Sequence, residues 1–149
     1  MIRIEVSITP DLKSLMMSIR RNIQGGIHAG VYSLAEEIEG KAKKEAPVRT
    51  SNLANSITFY LSNMGMQATV KATAPYAKYV HQGTGIYGPH GTPIVPVNKK
   101  ALFWPGAKHP VKSVKGMKAN PFFTRAIEQT DAQGVFERAI SNYLRSKGD

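Results

Sequence analysis

The chain has no cysteine. Disulfides and thiolate-bound metals are therefore excluded, and the fold must rest on its packed core. A chain of 149 residues can bury roughly 70% of the surface it exposes when unfolded, so no staple is needed. The absence of cysteine fits a reducing origin, although many particle and secreted proteins share it. No apolar run approaches the ~20 residues of a membrane span. Met1-Ile2-Arg3-Ile4-Glu5 lacks the basic-then-apolar order of a signal peptide, so none is expected.

Acidic residues are missing from one region. Residues 47–120 hold nine Lys and Arg and no Asp or Glu. Residues 1–46 hold seven basic and six acidic side chains, and residues 121–149 hold four of each. The net charge of +10 is thus a property of the middle of the chain. Such a surface is either a solvated loop or one that faces DNA or an acidic partner.

What is abundant there is lysine, glycine and proline. Residues 75–123 contain Lys78, Lys99, Lys100, Lys108, Lys112, Lys115 and Lys118. Between Gly83 and Pro121, 12 residues are Gly or Pro, of 22 in the whole chain. A long loop of this composition is expected over about 83–118. Loops of this length within a compact domain usually bind something or are disordered.

The flanking sequence reads as scaffold. Ile2, Ile4, Val6 and Ile8 alternate with polar residues, the period of a half-buried strand. Thr9-Pro10 reads as a cap followed by a first helical position. Leu12, Leu15, Met16, Ile19, Ile23, Ile27, Val31, Leu34, Ile38 and Ala42 recur every three or four residues, one stripe of a long helix ending at Pro47. Gly25, Gly26 and Gly30 lie inside that helix and cost about 1 kcal/mol each against Ala. They either bend it or admit another chain at close range. Residues 50–56 read as a short helical turn.

Ile57, Phe59 and Leu61, then Ala68, Val70 and Ala72, alternate about an Asn63-Met64-Gly65 turn, the pattern of a hairpin. Pro75 to Val80 fits one helical turn. Leu102–Trp104 and Val111–Lys115 are short strand candidates. Asn120-Pro121 repeats the cap-then-Pro signal, and Phe123, Ala126, Ile127, Thr130, Phe136, Ile140, Tyr143 and Leu144 carry a second helix that Gly134 could interrupt. The class expected is α+β: helices on a mostly antiparallel sheet, one domain over residues 1–149.

Signals of chemistry are weak. Gly83-Thr84-Gly85-Ile86-Tyr87-Gly88 matches the G-x-G-x-x-G string of dinucleotide sites. Pro89, Pro93 and Pro96 forbid the helix that motif needs, and no acid follows until Glu128. His81, His90 and His109 share one region, but no carboxylate lies near to orient a metal ligand, and exposed histidines are the default. The acids sit on the presumed helices, so no nuclease or hydrolase constellation forms. No enzyme, metal or cofactor is expected. Tyr76, Tyr79, Phe103 and Trp104 are expected to pack beneath the loop and hold it to the sheet. The alternative is that they stack on bases.

Three stretches are distinctive together: Ala46-Pro47-Val48-Arg49-Thr50-Ser51-Asn52-Leu53 with Ser56-Ile57; Ala74-Pro75-Tyr76-Ala77-Lys78-Tyr79-Val80-His81-Gln82-Gly83-Thr84; and Asn120-Pro121-Phe122-Phe123-Thr124-Arg125-Ala126-Ile127. Their order and spacing resemble the tail-component or neck family of long-tailed phages, the head-tail joining or tail-completion proteins. That family typically carries A-P-x-x-T-G-x-L-x-x-S, then P-Y-A-x-Y-V-E-x-G-T, then P-F opening the last helix. Ser51 stands where the family usually has Gly, and His81 where it often has Glu.

The resemblance makes Pro47, Thr50, Leu53, Pro75, Tyr76, Tyr79, Gly83, Thr84, Pro121 and Phe122 structural motif positions. It implies a virion protein of the neck or tail, made in the host cytoplasm, with no enzymatic role and no cofactor. It further implies a ring of identical subunits, a hexamer or dodecamer, between the portal-side head connector and the tail tube or tail terminator, with DNA passing through the lumen and no membrane contact. Lys99, Lys100, Lys108, Lys112, Lys115 and Lys118 would face a partner or that DNA.

Overall fold

The structure, a computed structural model, describes residues 10–48 and 51–148; on the first turns of the opening helix, side chains are described at residue 14 and from residue 17 onward. The expected strand over 2–8, the Thr9 cap, and motif position Thr50 lie outside the described residues. The remainder is an α+β chain with a long N-terminal helix, a two-stranded antiparallel sheet and a C-terminal helix.

In order, the elements are α1 (Pro10–Glu45), α2 (Asn52–Asn55), β1 (Ile57–Ser62), β2 (Gln67–Ala72), α3 (Ala77–Gln82), α4 (Phe122–Glu128) and α5 (Ala132–Lys147). By contacts they fall into two compact units. One gathers Met1–Glu36, Tyr60–Thr69 and Asp131–Asp149, and the other Glu37–Phe59 and Val70–Thr130.

In the first unit, the glycines of α1 are sites of close packing. The ring of Phe136 lies where a Cβ at Gly30 would come within 2.5 Å of it. Ile140 sits 3.5 Å from the Cβ position of Gly26, and Tyr143 fills the space at Gly25. The chain admitted at close range is therefore its own α5, and α1 runs unbroken past the three glycines. Burial along the apolar stripe is uneven: Ala42, near the end of α1, is fully buried in the core of the second unit. Ile19 and Ile23, toward the start of α1, are about half exposed.

The hairpin turn is left-handed at three successive residues. Asn63, Met64 and Gly65 have φ of 50°, 53° and 80°. Gly65 is required twice over, because a side chain there would also collide with His28.

The final helical region breaks at Thr130–Asp131 and not at Gly134. Thr130 caps α4 by donating from Oγ1 to the Ala126 carbonyl at 2.7 Å. Asp131 opens α5, its carboxylate accepting from the Gly134 N–H at 3.1 Å. Gly134 leaves room for that carboxylate, since a Cβ would collide with it. The glycine marks a capped start and does not interrupt the helix.

The second unit holds the main core: Ala42, Ala46, Leu53, Ile57, Ala77, Val80, Phe122 and Ala126. Phe122, Leu53 and Ile57 are its largest fully buried side chains. Each contributes roughly 1.5–3 kcal/mol by leaving water. The expected strands at 102–104 and 111–115 are not strands. Only isolated antiparallel bridges form there, Ile94 with Val114 and Leu102 with Val111.

Candidate functional site

The three motif stretches meet in one place. The first supplies Ala46, Leu53 and Ile57, the second Ala77 and Val80, and the third Phe122 and Ala126, all within the single core of the second unit. Helical spacing brings Ala42 and Ala46 onto one side of the end of α1, and Pro47 then forbids its continuation. The two-residue period puts Ile57 inward and Thr58 outward. His81, on α3, stacks edge-on to Phe122 with centroids 5.6 Å apart and lies 3.4 Å from Thr124 Oγ1.

Polar contacts fasten the rim of this core. Arg125 Nε donates to Glu45 Oε2 at 2.6 Å, and Gln129 Nε2 donates to Glu45 Oε1 at 3.0 Å. These two bonds, Gln129 first and then Arg125, hold the Glu45 carboxyl below its ordinary range. Arg125 also donates to the Asn120 side chain. Asn120 is thus not the cap expected for α4. Its side chain faces Arg125, and no side chain caps the start of that helix.

From this core the chain leaves and returns through a tight crossing. The Thr84 N–H donates to the Met117 carbonyl at 2.9 Å, and the Ile86 N–H to the Lys115 carbonyl at 2.8 Å. Met117 N–H donates back to Thr84 Oγ1 at 2.9 Å. The Asn120 N–H reaches the Val80 carbonyl at 2.9 Å. Three glycines make the approach feasible. A Cβ at Gly85 would lie 2.9 Å from the Cα of Gly116, and one at Gly116 would lie 2.8 Å from the Cα of Gly85. A Cβ at Gly83 would lie 2.7 Å from the Tyr87 carbonyl. All three have positive φ, 79°, 64° and 96° in chain order. The first two glycines of the G-x-G-x-x-G string thus serve a backbone crossing with Gly116.

Beyond the crossing, residues 88–114 form an arm whose two legs bond to each other at 94/114 and at 102/111. A groove of about 420 Å³ opens at its root, lined by Tyr79, Pro89, His90, Pro93, Ile94 and Val95 among others. No carboxylate lines it, so no acid–base pair of the kind hydrolases use converges there.

The aromatic side chains contradict the sequence expectation. Tyr76, Tyr79, Phe103 and Trp104 are 39%, 59%, 67% and 46% exposed, so they do not pack beneath the loop. The reason is geometric: the legs of the arm pair with each other, and Phe122, Leu53 and Ile57 already fill the small core. All six lysines named for partner or DNA contact, Lys99, Lys100, Lys108, Lys112, Lys115 and Lys118, are exposed. Among the described residues none of them forms an ion pair. Lys118 lies 5.9 Å from the centre of the Tyr87 ring. The remaining motif positions divide between burial and exposure. Leu53, Gly83 and Phe122 are buried, Pro47, Thr84 and Pro121 half-buried, and Pro75, Tyr76 and Tyr79 exposed. Among the described residues no group of three His, Asp or Glu could hold a metal, and no helix is long and apolar enough to cross a membrane.

Residues 12–83 match the model of the HK97-gp10-like family, described as "Bacteriophage HK97-gp10, putative tail-component". On this stretch, a little under half of the chain, the protein carries the pattern of that family. The match supports a phage tail-component family, in agreement with the motif resemblance, and a tail component implies a place in the virion. No curated protein and no solved structure matched the chain.

Proposed function

We propose that this chain is a structural subunit of the phage neck, a tail-completion protein that assembles as a ring and joins the head connector to the tail tube. In this reading it catalyses nothing and needs no cofactor. The observation that carries it is the convergence of all three motif stretches on one core, from which the arm departs through the glycine crossing. A family pattern spent on holding an arm, with exposed aromatics at its end and no acid–base pair at its root, suits a part that is bound by neighbours.

Negative-stain imaging and light scattering of the purified chain, alone and with connector or tail tube, test the reading. Rings, or a stable complex with either partner, are expected. A chain that stays monomeric and binds neither would remove the proposal. Limited proteolysis between Gly83 and Gly116 supplies a second check, because neighbours that seat the arm should protect it from cutting in the assembled particle.

A further inference from the structure

We infer that the arm is a binding surface for duplex DNA, read by charge and shape and not by base sequence. The inference stands on the arm itself and does not depend on the ring. Residues 47–120 contain no carboxylate, so nothing in the arm's own sequence neutralises its lysines. Lys99, Lys100, Lys108, Lys112, Lys115 and Lys118 are all exposed, and the ion pairs among the described residues involve other cations.

The composition separates DNA from an acidic protein as the occupant. Protein interfaces are depleted in lysine at their centres and enriched in arginine. Between residues 50 and 124 there is no arginine at all, and the arm's cations are lysines only. Lysine binds phosphate as a flexible point charge, without the fork by which arginine fixes a carboxylate or phosphate at two points, so a contact made by lysines alone senses charge and imposes no register. A duplex offers one charge per about 1.7 Å of axis, denser than a single strand, and neutralising it releases condensed counterions.

The shape agrees. The two legs are held together by isolated bridges at 94/114 and 102/111, so the lysines and the tip are carried on one paired segment. Its end carries Phe103 and Trp104, exposed side by side, where an apolar ring can wedge against a base step. Asn98 is the only carboxamide of the arm between Pro89 and Val114, so the arm has little with which to read base edges.

Trp104 is the chain's single tryptophan, so its fluorescence reports on the arm directly. The test is titration of the whole protein with a duplex oligonucleotide of mixed sequence across a series of salt concentrations. Quenching of Trp104 emission is expected, with affinity falling about 10³-fold between 50 and 200 mM salt if all six lysines engage. The logarithmic slope should be about −5, and close to −3 in a Lys112→Ala/Lys115→Ala/Lys118→Ala variant. The corresponding triple change to Arg should restore the slope, separating lost charge from lost structure. Absence of binding at low salt would overturn the inference, as would a slope that the triple Ala variant leaves unchanged. Tighter binding of a single strand of the same sequence, or of polyglutamate of equal charge, would assign the arm to a different partner and equally overturn it. None of these outcomes bears on ring formation, which particle imaging decides separately.

Discussion

Individual residues explain most of what is unusual in this backbone. Met64 stands in the left-handed region with its side chain 90% exposed. An ordinary residue pays roughly 1–2 kcal/mol for that conformation, and Asn adopts it more readily. Met64→Asn should therefore stabilise the protein by about 0.5–1 kcal/mol, visible as a rise of a few degrees in Tm, since no packing is lost. Glu45 makes a different prediction. Its carboxyl is held below the ordinary value of 4.5 by Gln129 and Arg125, so its contribution is present above that value. The contribution disappears as pH falls through the lower folded value. Urea midpoints of wild type and Glu45→Gln should differ at neutral pH and converge in acid. A gap that stays constant down to acid pH would show that the carboxylate is not the cause. The sequence carried a signal for Met64, in the Asn-Met-Gly turn, but none for Glu45, whose partners lie 80 and 84 positions away.

At the scale of elements, the helices and the hairpin follow from short-range rules. The spacing of Ile57, Phe59 and Leu61 against Ala68, Val70 and Ala72 placed both strands, and Pro47 placed the end of α1. Boundaries failed where a side chain served a distant partner. Asn120 reads as a cap but is turned toward Arg125, while Asp131 caps α5. Removing that cap by Asp131→Ala should cost about 1 kcal/mol, measured by chemical denaturation. The arm's crossing depends on glycine in both legs. Gly116→Ala puts a Cβ against the opposite backbone at a φ of 96°. It should loosen the arm by roughly 2 kcal/mol or more. The change should appear as faster proteolysis between residues 88 and 114, with a smaller effect on the unfolding of the core. Equal cutting of variant and wild type would mean that the crossing does not hold the arm.

At the scale of the molecule, one small core serves many elements. Phe122 is fully buried among residues from all three motif stretches. Phe122→Ala should cost about 3–5 kcal/mol, a large share of the stability of a domain of this size, and should lower Tm and arm protection together. By itself the chain determined its α+β class, the hairpin, the limits of the long helix, the concentration of positive charge and the motif order that resembles tail components. These depend on neighbours a few positions apart, or on composition, and a linear reading captures both. Tertiary structure alone decided that the α1 glycines receive α5, that Gly83, Gly85 and Gly116 form a crossing, and that the aromatic side chains stay exposed. Those outcomes depend on which distant segments compete for the same limited buried space, and periodicity along the chain holds no record of that competition.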